Sequence, residues 1–458
     1  METETYSKRL INRDIFHLII PSVMENILQL LAGLVITAMV GRLLASDIAA
    51  QGISNRIYQT FFALFRGLGT GATVIVALNF GKKELTKCRR VIEQAYLTTI
   101  PVAGIVVLLL SLFPHTILRL FTDDMSLINL GASYSRITAW AIPFMILICF
   151  NTAAFNGQGN TRTPMMIAMV LNVVNIIVGY ISIFGLFGIG GFGIIGAAVS
   201  TVISQIVGAS LGLYLLYNKK GFLRRIACDH KFFSLDRPEI SALYATGIPA
   251  AAENVFWQLS AIIMSRVILS YGSNYYAAYQ LGLNAEMLTE MPAMGFVVAA
   301  TTLSARAIGQ RDPELYRAYF NRLTRIALYV GIAASAILFI FCYNFMGFLT
   351  NKADLIQIGG GYVFYMGFAQ IPQVLSKVFN GVIRSSGGKR VPMYISFIGI
   401  WIVRVPFILL FGLVLRLDIK YIWITIAADQ ISRLVISLVY MRKRRITHYV
   451  DKLIEEEA

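Results

Sequence analysis

Pro21-Ser-Val-Met-Glu-Asn26 and Pro249-Ala-Ala-Ala-Glu-Asn254 share one outline, a proline followed by Glu-Asn, at a spacing of 228 residues. The spacing recurs on both sides of this pair. Ala49-Ala50 returns as Ala277-Ala278, Gly67 as Gly295 and Gly81 as Gly309. Arg162-Thr-Pro164 returns as Arg390-Val-Pro392, and Ser204 as Ser432. Phe150-Asn151 returns as Phe379-Asn380 after a one-residue slip. Self-similarity at a nearly constant offset over most of the chain marks an internal duplication.

Composition says what was duplicated. Of the 458 residues, 57% are hydrophobic and 14% charged, where a soluble domain carries about 25% charged residues. The charges gather in clusters between long apolar runs. A helix needs about 20 mostly apolar residues to cross the hydrocarbon layer. Such stretches lie near 15–40, 48–78, 92–113, 131–155, 165–187, 194–217, 242–270, 275–304, 320–345, 358–383, 392–415 and 420–441. The expected fold is an all-α integral membrane protein, with twelve transmembrane helices in two parallel-repeat six-helix lobes. Residues 1–217 form the first lobe, 218–241 a basic linker, 242–445 the second lobe and 446–458 a tail. The first stretch has no small-residue cleavage site and is expected to be retained. Six crossings return the chain to its starting side, so both copies enter the membrane in the same direction. The expected cavity lies between them, near the midplane.

The net charge of +16 invites a nucleic-acid reading, but the basic residues follow topology instead. With the N-terminus cytoplasmic, the inner segments hold Lys8, Arg9 and Arg13, the run from Lys82 to Arg90, Arg162, Lys219 to Arg237, Arg306 to Arg325, Arg384 to Arg390, and Arg442 to Lys452. The outer loops hold Arg42, Arg119, Lys352, Arg416 and Lys420. This is the positive-inside bias of a multi-pass protein. It places both termini in the cytoplasm of the cell (inner) membrane and accounts for the charge without nucleic acid. Cys88 and Cys228 are expected in basic cytoplasmic loops, Cys149 and Cys342 inside apolar stretches, with no metal-site spacing. Gly208-Ala-Ser-Leu-Gly212 matches a nucleophile elbow, but sits in a helix rather than at a strand-to-helix turn. Gly191-Phe-Gly-Ile-Ile-Gly196 matches a dinucleotide motif without the preceding strand. No enzyme, cofactor or metal is indicated.

Charges inside the helices need a reason, because each costs about 2.5–3.5 kcal/mol at the membrane centre. The bases are Arg56, Arg66, Arg136, Arg266, Lys377, Arg404 and Arg433; the acids are Glu25, Glu253, Glu286, Glu290 and Asp429. Arg66, Arg136 and Arg266 can snorkel to an interface. Glu25 and Glu253 are repeat mates, one turn after a proline. They read either as packing groups near a helix start or as protonatable, cation-binding carboxylates. Glu286 and Glu290 lie one turn apart before Met291-Pro292, where they raise each other's proton affinity unless a base pairs with one. Lys377, Arg404 and Arg433 are the available partners for these acids and for Asp429. These five acids are the candidate cation- or proton-coupling groups, Glu253 foremost. Candidate cavity residues are Asn254, Trp257, Gln258, Gln280, Asn284, Met287, Gln373 and Lys377 in the second half, with Asn151 and Asn175 in the first. Asn172 and Gln205 are further uncharged polar groups of the first half. At helical spacing the aromatic and methionine side chains read equally as plain packing.

Gly33-Leu-Val-Ile-Thr-Ala-Met-Val-Gly41, Ala49-Ala-Gln-Gly-Ile-Ser54, Gly157-Gln-Gly-Asn-Thr-Arg-Thr-Pro164 and Asn172-Val-Val-Asn-Ile-Ile177 resemble the multidrug and toxic compound extrusion (MATE) transporters. Ile183-Phe-Gly185, Gly247-Ile-Pro249, Ala277-Ala278, Gln280 and Val403-Arg-Val-Pro406 extend the resemblance over nearly the whole chain. It implies two six-helix lobes, alternating access, and efflux of small organic, cationic compounds in antiport with H⁺ or Na⁺, by a monomer in the lipid bilayer. Two departures stand out. Ile36 takes the place of a common helix-one aspartate, and Gln373, with Lys377 nearby, the place of a helix-ten acid. Two alternatives stay open. One is a lipid or lipid-linked oligosaccharide flippase of the same superfamily, for which Arg56, Arg66 and Arg266 would serve a pyrophosphate. The other is a transport-deficient membrane sensor. The topology is testable by single-cysteine labelling in intact cells. Cysteines at Lys87 and Arg317 should be protected from a membrane-impermeant maleimide, and those at Arg119 and Lys352 labelled.

Overall fold

The computed structural model describes residues 7–43, 45–119, 124–186, 189–218, 221, 223 and 234–444. Most of the expected linker, with Lys219, Lys220, Arg224, Arg225, Cys228 and Lys231, and the end of the chain, with Arg445, Lys452 and the tail 446–458, lie outside these residues. Twelve helical passes form: α1 (Lys8–Val40), α2 (Ala45–Gly81), α3 (Leu85–Leu112), α4 (Met125–Ala139 and Ala141–Gln158, interrupted at Trp140), α5 (Arg162–Phe184), α6 (Ile194–Tyr217), α7 (Arg237–Ser270), α8 (Ser273–Gly309), α9 (Pro313–Leu349), α10 (Ala353–Ser385), α11 (Val391–Val414) and α12 (Lys420–Arg444). Among the described residues, ten of these helices are long and apolar enough to cross a membrane. The other two, α7 and α10, hold Glu253, Arg266, Lys377 and Arg384. Gly185–Leu186 pairs antiparallel with Ile189–Gly190 between α5 and α6.

The duplication extends to backbone geometry. Gly159 and Gly387, 228 apart, end α4 and α10 in the left-handed region at φ 88° and 87°. The next amides bond back five residues, Asn160 N–H to Phe155 O at 2.9 Å and Gly388 N–H to Ile383 O at 3.0 Å. This Schellman closure satisfies carbonyls that a helix end leaves open. Lys83 and Arg311 do the same after α2 and α8 at φ 62° and 57°, with Glu84 N–H on Asn79 O and Asp312 N–H on Ala307 O. The two halves therefore share turn chemistry as well as sequence. Cys88, expected in a loop, lies buried in the first turn of α3, its thiol on Val76 O. Gly208 and Gly212 pack inside α6, the latter against Asn151, so the Gly-x-Ser-x-Gly run is a helix-packing face.

The compact units do not begin where the repeat begins. One comprises residues 24–251, here the first lobe; the other comprises 1–23 with 252–458, the second lobe. Each boundary cuts a helix at the same repeat position, two residues after Pro21 in α1 and two after Pro249 in α7. Small residues explain the grouping. A Cβ on Gly71 of α2 would lie 2.6 Å from Gly247 Cα, and Gly67 faces the Ala251 backbone as closely. The start of α7 thus packs into the first lobe. A Cβ on Gly295 of α8 would lie 2.9 Å from Ile19 O, so the start of α1 packs into the second. Polar ties act with these contacts. Gln94 of α3 donates to Ser234 O at 2.7 Å and accepts from Asp236 N–H at 3.1 Å. Tyr319 of α9 donates to Asp14 at 2.8 Å, and Arg322 donates to Asn12.

Helix α11 is not uniform. Ile398–Arg404 and Leu410–Val414 are π-helical, whereas the matching segment of α5 is α-helical up to Phe184. A single π-turn often marks a position where side chains need unusual placement. Here Gly399 sits so close to Asp429 and Arg433 that no Cβ fits.

Close approach and open space predict opposite outcomes for similar substitutions. Gly71→Val drives a branched side chain into the α7 backbone, at a cost of about 1–3 kcal/mol. Gly104→Ala, with nothing within 4 Å of its Cβ, is neutral or stabilises by up to about 1 kcal/mol. Thermal midpoints of the purified variants in detergent measure the contrast.

Candidate functional site

Five helices of the first lobe turn polar stripes toward one cavity of about 240 Å³. On α1 the stripe is Glu25, Gln29, Ala32, Gly33, Ile36 and Thr37; on α2 it is Gln51, Asn55, Tyr58, Gln59 and Phe62. These are i, i+3/i+4, i+7/i+8 and i+11 positions, one face of a helix. Tyr134, Met145, Ile148 and Thr152 of α4, Asn172 and Asn175 among others of α5, and Thr201 and Gln205 of α6 complete the wall. The lining has a single acid, Glu25, and no base.

Two features give this cavity binding character. Tyr58 OH, Asn172 Nδ2 and Asn175 Oδ1 are buried without a hydrogen-bond partner among the described residues. Buried polar atoms are rarely left so, because each costs about 1–3 kcal/mol unless something bonds to it. Glu25 also has no cation within 4 Å among the described residues. Arg66 is nearby but donates to Asn26 Oδ1 at 3.2 Å and lies over the Phe62 ring. Ile36 lines the same cavity. Eleven residues separate Glu25 from Ile36, three turns plus about 20°, so both project on one face about 16 Å apart along the axis. Glu25 is thus the acid of this stripe, and Ile36 an apolar position three turns along it.

The second lobe puts different chemistry at the matching positions. Tyr58 corresponds to Glu286, Gln51 to Tyr279, Tyr134 to Tyr362, Thr201 to Asp429 and Gln205 to Arg433. Tyr279, Tyr362 and Trp423 form an aromatic cluster with centroids 4.9–5.7 Å apart. Glu286 and Glu290 share a face of α8 but have separate partners. The Tyr362 hydroxyl donates to Glu286, and Lys377 Nζ donates to Glu290. Asp429, with 0% exposure, takes two guanidinium groups, Arg404 at 2.7 Å and Arg433 at 2.7 and 2.8 Å. Glu253 accepts from Arg384 at 2.6 Å.

The expected cavity residues are thus dispersed. Asn175 lines the first-lobe cavity, while Asn151 is buried under Tyr96, whose hydroxyl donates to it. Gln280 donates to Tyr276 OH at 2.7 Å and Asn284 to Gln280 O at 3.0 Å, both within α8. Gln373 is buried in α10, its Oε1 without a partner among the described residues. Trp257 and Met287 are exposed, at 42% and 39%; Asn254 and Gln258 are half-buried. None of the second-half candidates lines the first-lobe cavity. Gln29, Gln51, Asn55, Tyr58, Gln59, Tyr134 and Thr201 were not anticipated. Their signal is in the sequence as amides and hydroxyls repeating at helical spacing inside apolar runs.

Removing Asp429 leaves two buried guanidinium groups facing each other. Losing one member of a buried ion pair costs about 3–5 kcal/mol, so Asp429→Asn should sharply reduce the yield of monodisperse protein in gel filtration. Thr425→Val, one turn away, should not.

The MatE family model matches residues 21–181 and again 249–410, so its two matches begin at the two Pro-containing boundaries described above. A probable multidrug resistance protein NorM of Thermotoga maritima is 28% identical, over 94% of this chain and 92% of its own. A probable multidrug resistance protein YoeA of Bacillus subtilis is 26% identical, over 98% of both chains. An outward-facing multidrug resistance MATE family transporter of the MOP superfamily superposes with a TM-score of 0.87, at 19% identity over 98% of this chain and 99% of that one. A MOP superfamily transporter from Pyrococcus furiosus, described as having a binding pocket of reversed polarity, superposes equally well at 18% identity, over 96% of both chains. At these identities the superpositions speak for the fold. Matched across most of both halves and throughout the fold, the chain belongs to the MatE family.

Proposed function

We propose that this protein is a secondary active multidrug exporter of small organic cations, working by alternating access in antiport with H⁺ or Na⁺, with the first-lobe cavity as its substrate chamber. The single observation that carries the reading is the lining: one carboxylate, no base, and three buried polar atoms awaiting partners. Names given to relatives of similar length, multidrug resistance proteins, support the substrate class. Tyr58, Phe62 and Tyr134 supply aromatic faces that attract cations. The volume of about 240 Å³ is just below the usual range of about 300–1,000 Å³ for small-molecule sites, which favours compact substrates. The same lining disfavours a lipid pyrophosphate in this chamber.

Antiport follows if one carboxylate serves two cations. A proton or Na⁺ on Glu25 removes the charge that draws an organic cation into the chamber, and the organic cation in turn weakens binding of the ion. Glu286, whose partner is a hydroxyl rather than a cation, is the second candidate for proton handling. Glu253, Glu290 and Asp429 rank lower because each faces a fixed base. The protein acts as a monomer, with both termini in the cytoplasm.

Efflux of a cationic dye from everted vesicles, under separate H⁺ and Na⁺ gradients, tests the assignment. Glu25→Gln is expected to cut dye transport at least about tenfold, the equivalent of about 1.4 kcal/mol, while protein level is unchanged. Undiminished transport by this variant under both gradients would remove Glu25 from the mechanism.

A further inference from the structure

Glu25 and Glu253 occupy the same position of the two repeats, each four residues after its proline and each followed by asparagine. Their surroundings are opposite. Glu25 faces a cavity and has no cation within 4 Å among the described residues. Glu253 Oε1 accepts a hydrogen bond from Arg384 Nη2 at 2.6 Å, and the Arg384 side chain is 5% exposed. The difference is written into the sequence at a second place. Counted back from the matching caps Gly159 and Gly387, the first-lobe residue corresponding to Arg384 is Asn156.

The helix end around the arginine is itself fixed. Arg384 lies in the last turn of α10, where open carbonyls and the negative end of the helix dipole favour a cation. The adjoining Ser385 anchors that turn through its hydroxyl on Thr301 O at 3.0 Å and Gly381 O at 2.7 Å. A charge-assisted guanidinium–carboxylate bond of this length is among the stronger polar contacts. Because the cation is part of the chain, its local concentration does not depend on the medium. A free cation reaching Glu253 would have to displace it and leave a buried guanidinium without a counter-charge, which is costly.

We propose that Arg384 is a tethered counter-cation that permanently fills, at Glu253, the place an exchangeable cation would otherwise take. Glu253 is then a positioning residue, and cation specificity at this repeat position is set by Arg384. The consequence for transport, that cation exchange is left to the first lobe, rests on the exporter reading; the occupancy of Glu253 does not.

The test therefore begins with binding rather than transport. Full-length wild type, Arg384→Asn (the residue present at this position of the first lobe) and Arg384→Asn/Glu253→Gln are purified in detergent. Their thermal midpoints are titrated with NaCl against choline chloride at equal ionic strength, and with millimolar guanidinium chloride. Arg384→Asn is expected to gain a cation-dependent rise in midpoint, with an apparent affinity at least about tenfold tighter than wild type. Wild type and the double variant should lack this added response; any rise from a cation at Glu25 is common to all three proteins and cancels in the comparison. A folded Arg384→Asn protein indifferent to both cations overturns the proposal, as does a Na⁺ response of wild type that disappears in the double variant.

Should Arg384→Asn not fold, the charge exchange Glu253→Arg/Arg384→Glu takes its place. Export within about threefold of wild type, a difference worth under 1 kcal/mol, supports a self-contained pair. A folded exchanged protein that exports nothing, beside an active wild type, overturns it. Absence of dye export by wild type itself would count against the exporter reading alone; Arg384 is then judged by the midpoint titration of the exchanged protein, which should respond to Na⁺ and guanidinium as wild type does, and a cation-dependent rise absent from wild type overturns the proposal.

Discussion

In hydrocarbon an unpartnered charge is expensive, and the second lobe is arranged around four carboxylates that need partners. Three of them obtain bases from other helices: Glu253 from α10, Glu290 from α10, and Asp429 from α11 with a second base from its own helix. The fourth, Glu286, obtains a tyrosine hydroxyl. These pairs dictate much of the local architecture. Gly399 is required where Asp429 and Arg433 press against α11. The π-turns of α11 lie in the same region, in a helix whose first-lobe counterpart is regular. The Tyr279, Tyr362 and Trp423 cluster packs beside Glu286, to which Tyr362 donates.

The first lobe meets the same constraint by omission. Where its twin has Asp429 and Arg433, it has Thr201 and Gln205; where its twin has Glu286, it has Tyr58. Neutral amides and hydroxyls can face a cavity without a fixed counter-ion, so the space that ion pairs and aromatic rings occupy in one copy stays open in the other. One acid remains in that wall, Glu25, with no base within 4 Å among the described residues. Duplication thus produced two equivalent scaffolds, and divergence at a handful of inward-facing positions left a polar cavity in one and placed three carboxylate–base pairs in the other.

Small residues impose the second constraint. Without a hydrophobic force between helices in lipid, close packing of backbones does the work. Gly67, Gly71 and Gly247 let the start of α7 enter the first lobe, and Gly295 lets the start of α1 enter the second. Each compact unit therefore contains a half-helix that the repeat assigns to the other copy, with boundaries just after Pro21 and Pro249. The glycines are visible in the sequence, but which backbone each one meets is not.

The sequence by itself determined the membrane class, the twelve passes, the duplication and its register, and the inventory of charges, because each of these is a matter of composition or periodicity along the chain. It even contained the amide stripes of the chamber, since helical spacing is a one-dimensional property. What only the tertiary structure decided is pairing and vacancy. Whether Glu253 meets Arg384 or a cavity, whether Glu286 faces a lysine or a tyrosine, and where space is left among helices depend on which faces of distant segments approach each other. Such choices are set by side-chain volume and close backbone contact, which the linear order of residues does not express. That is why Glu25 and Glu253, equal in sequence and in repeat position, end in unlike environments.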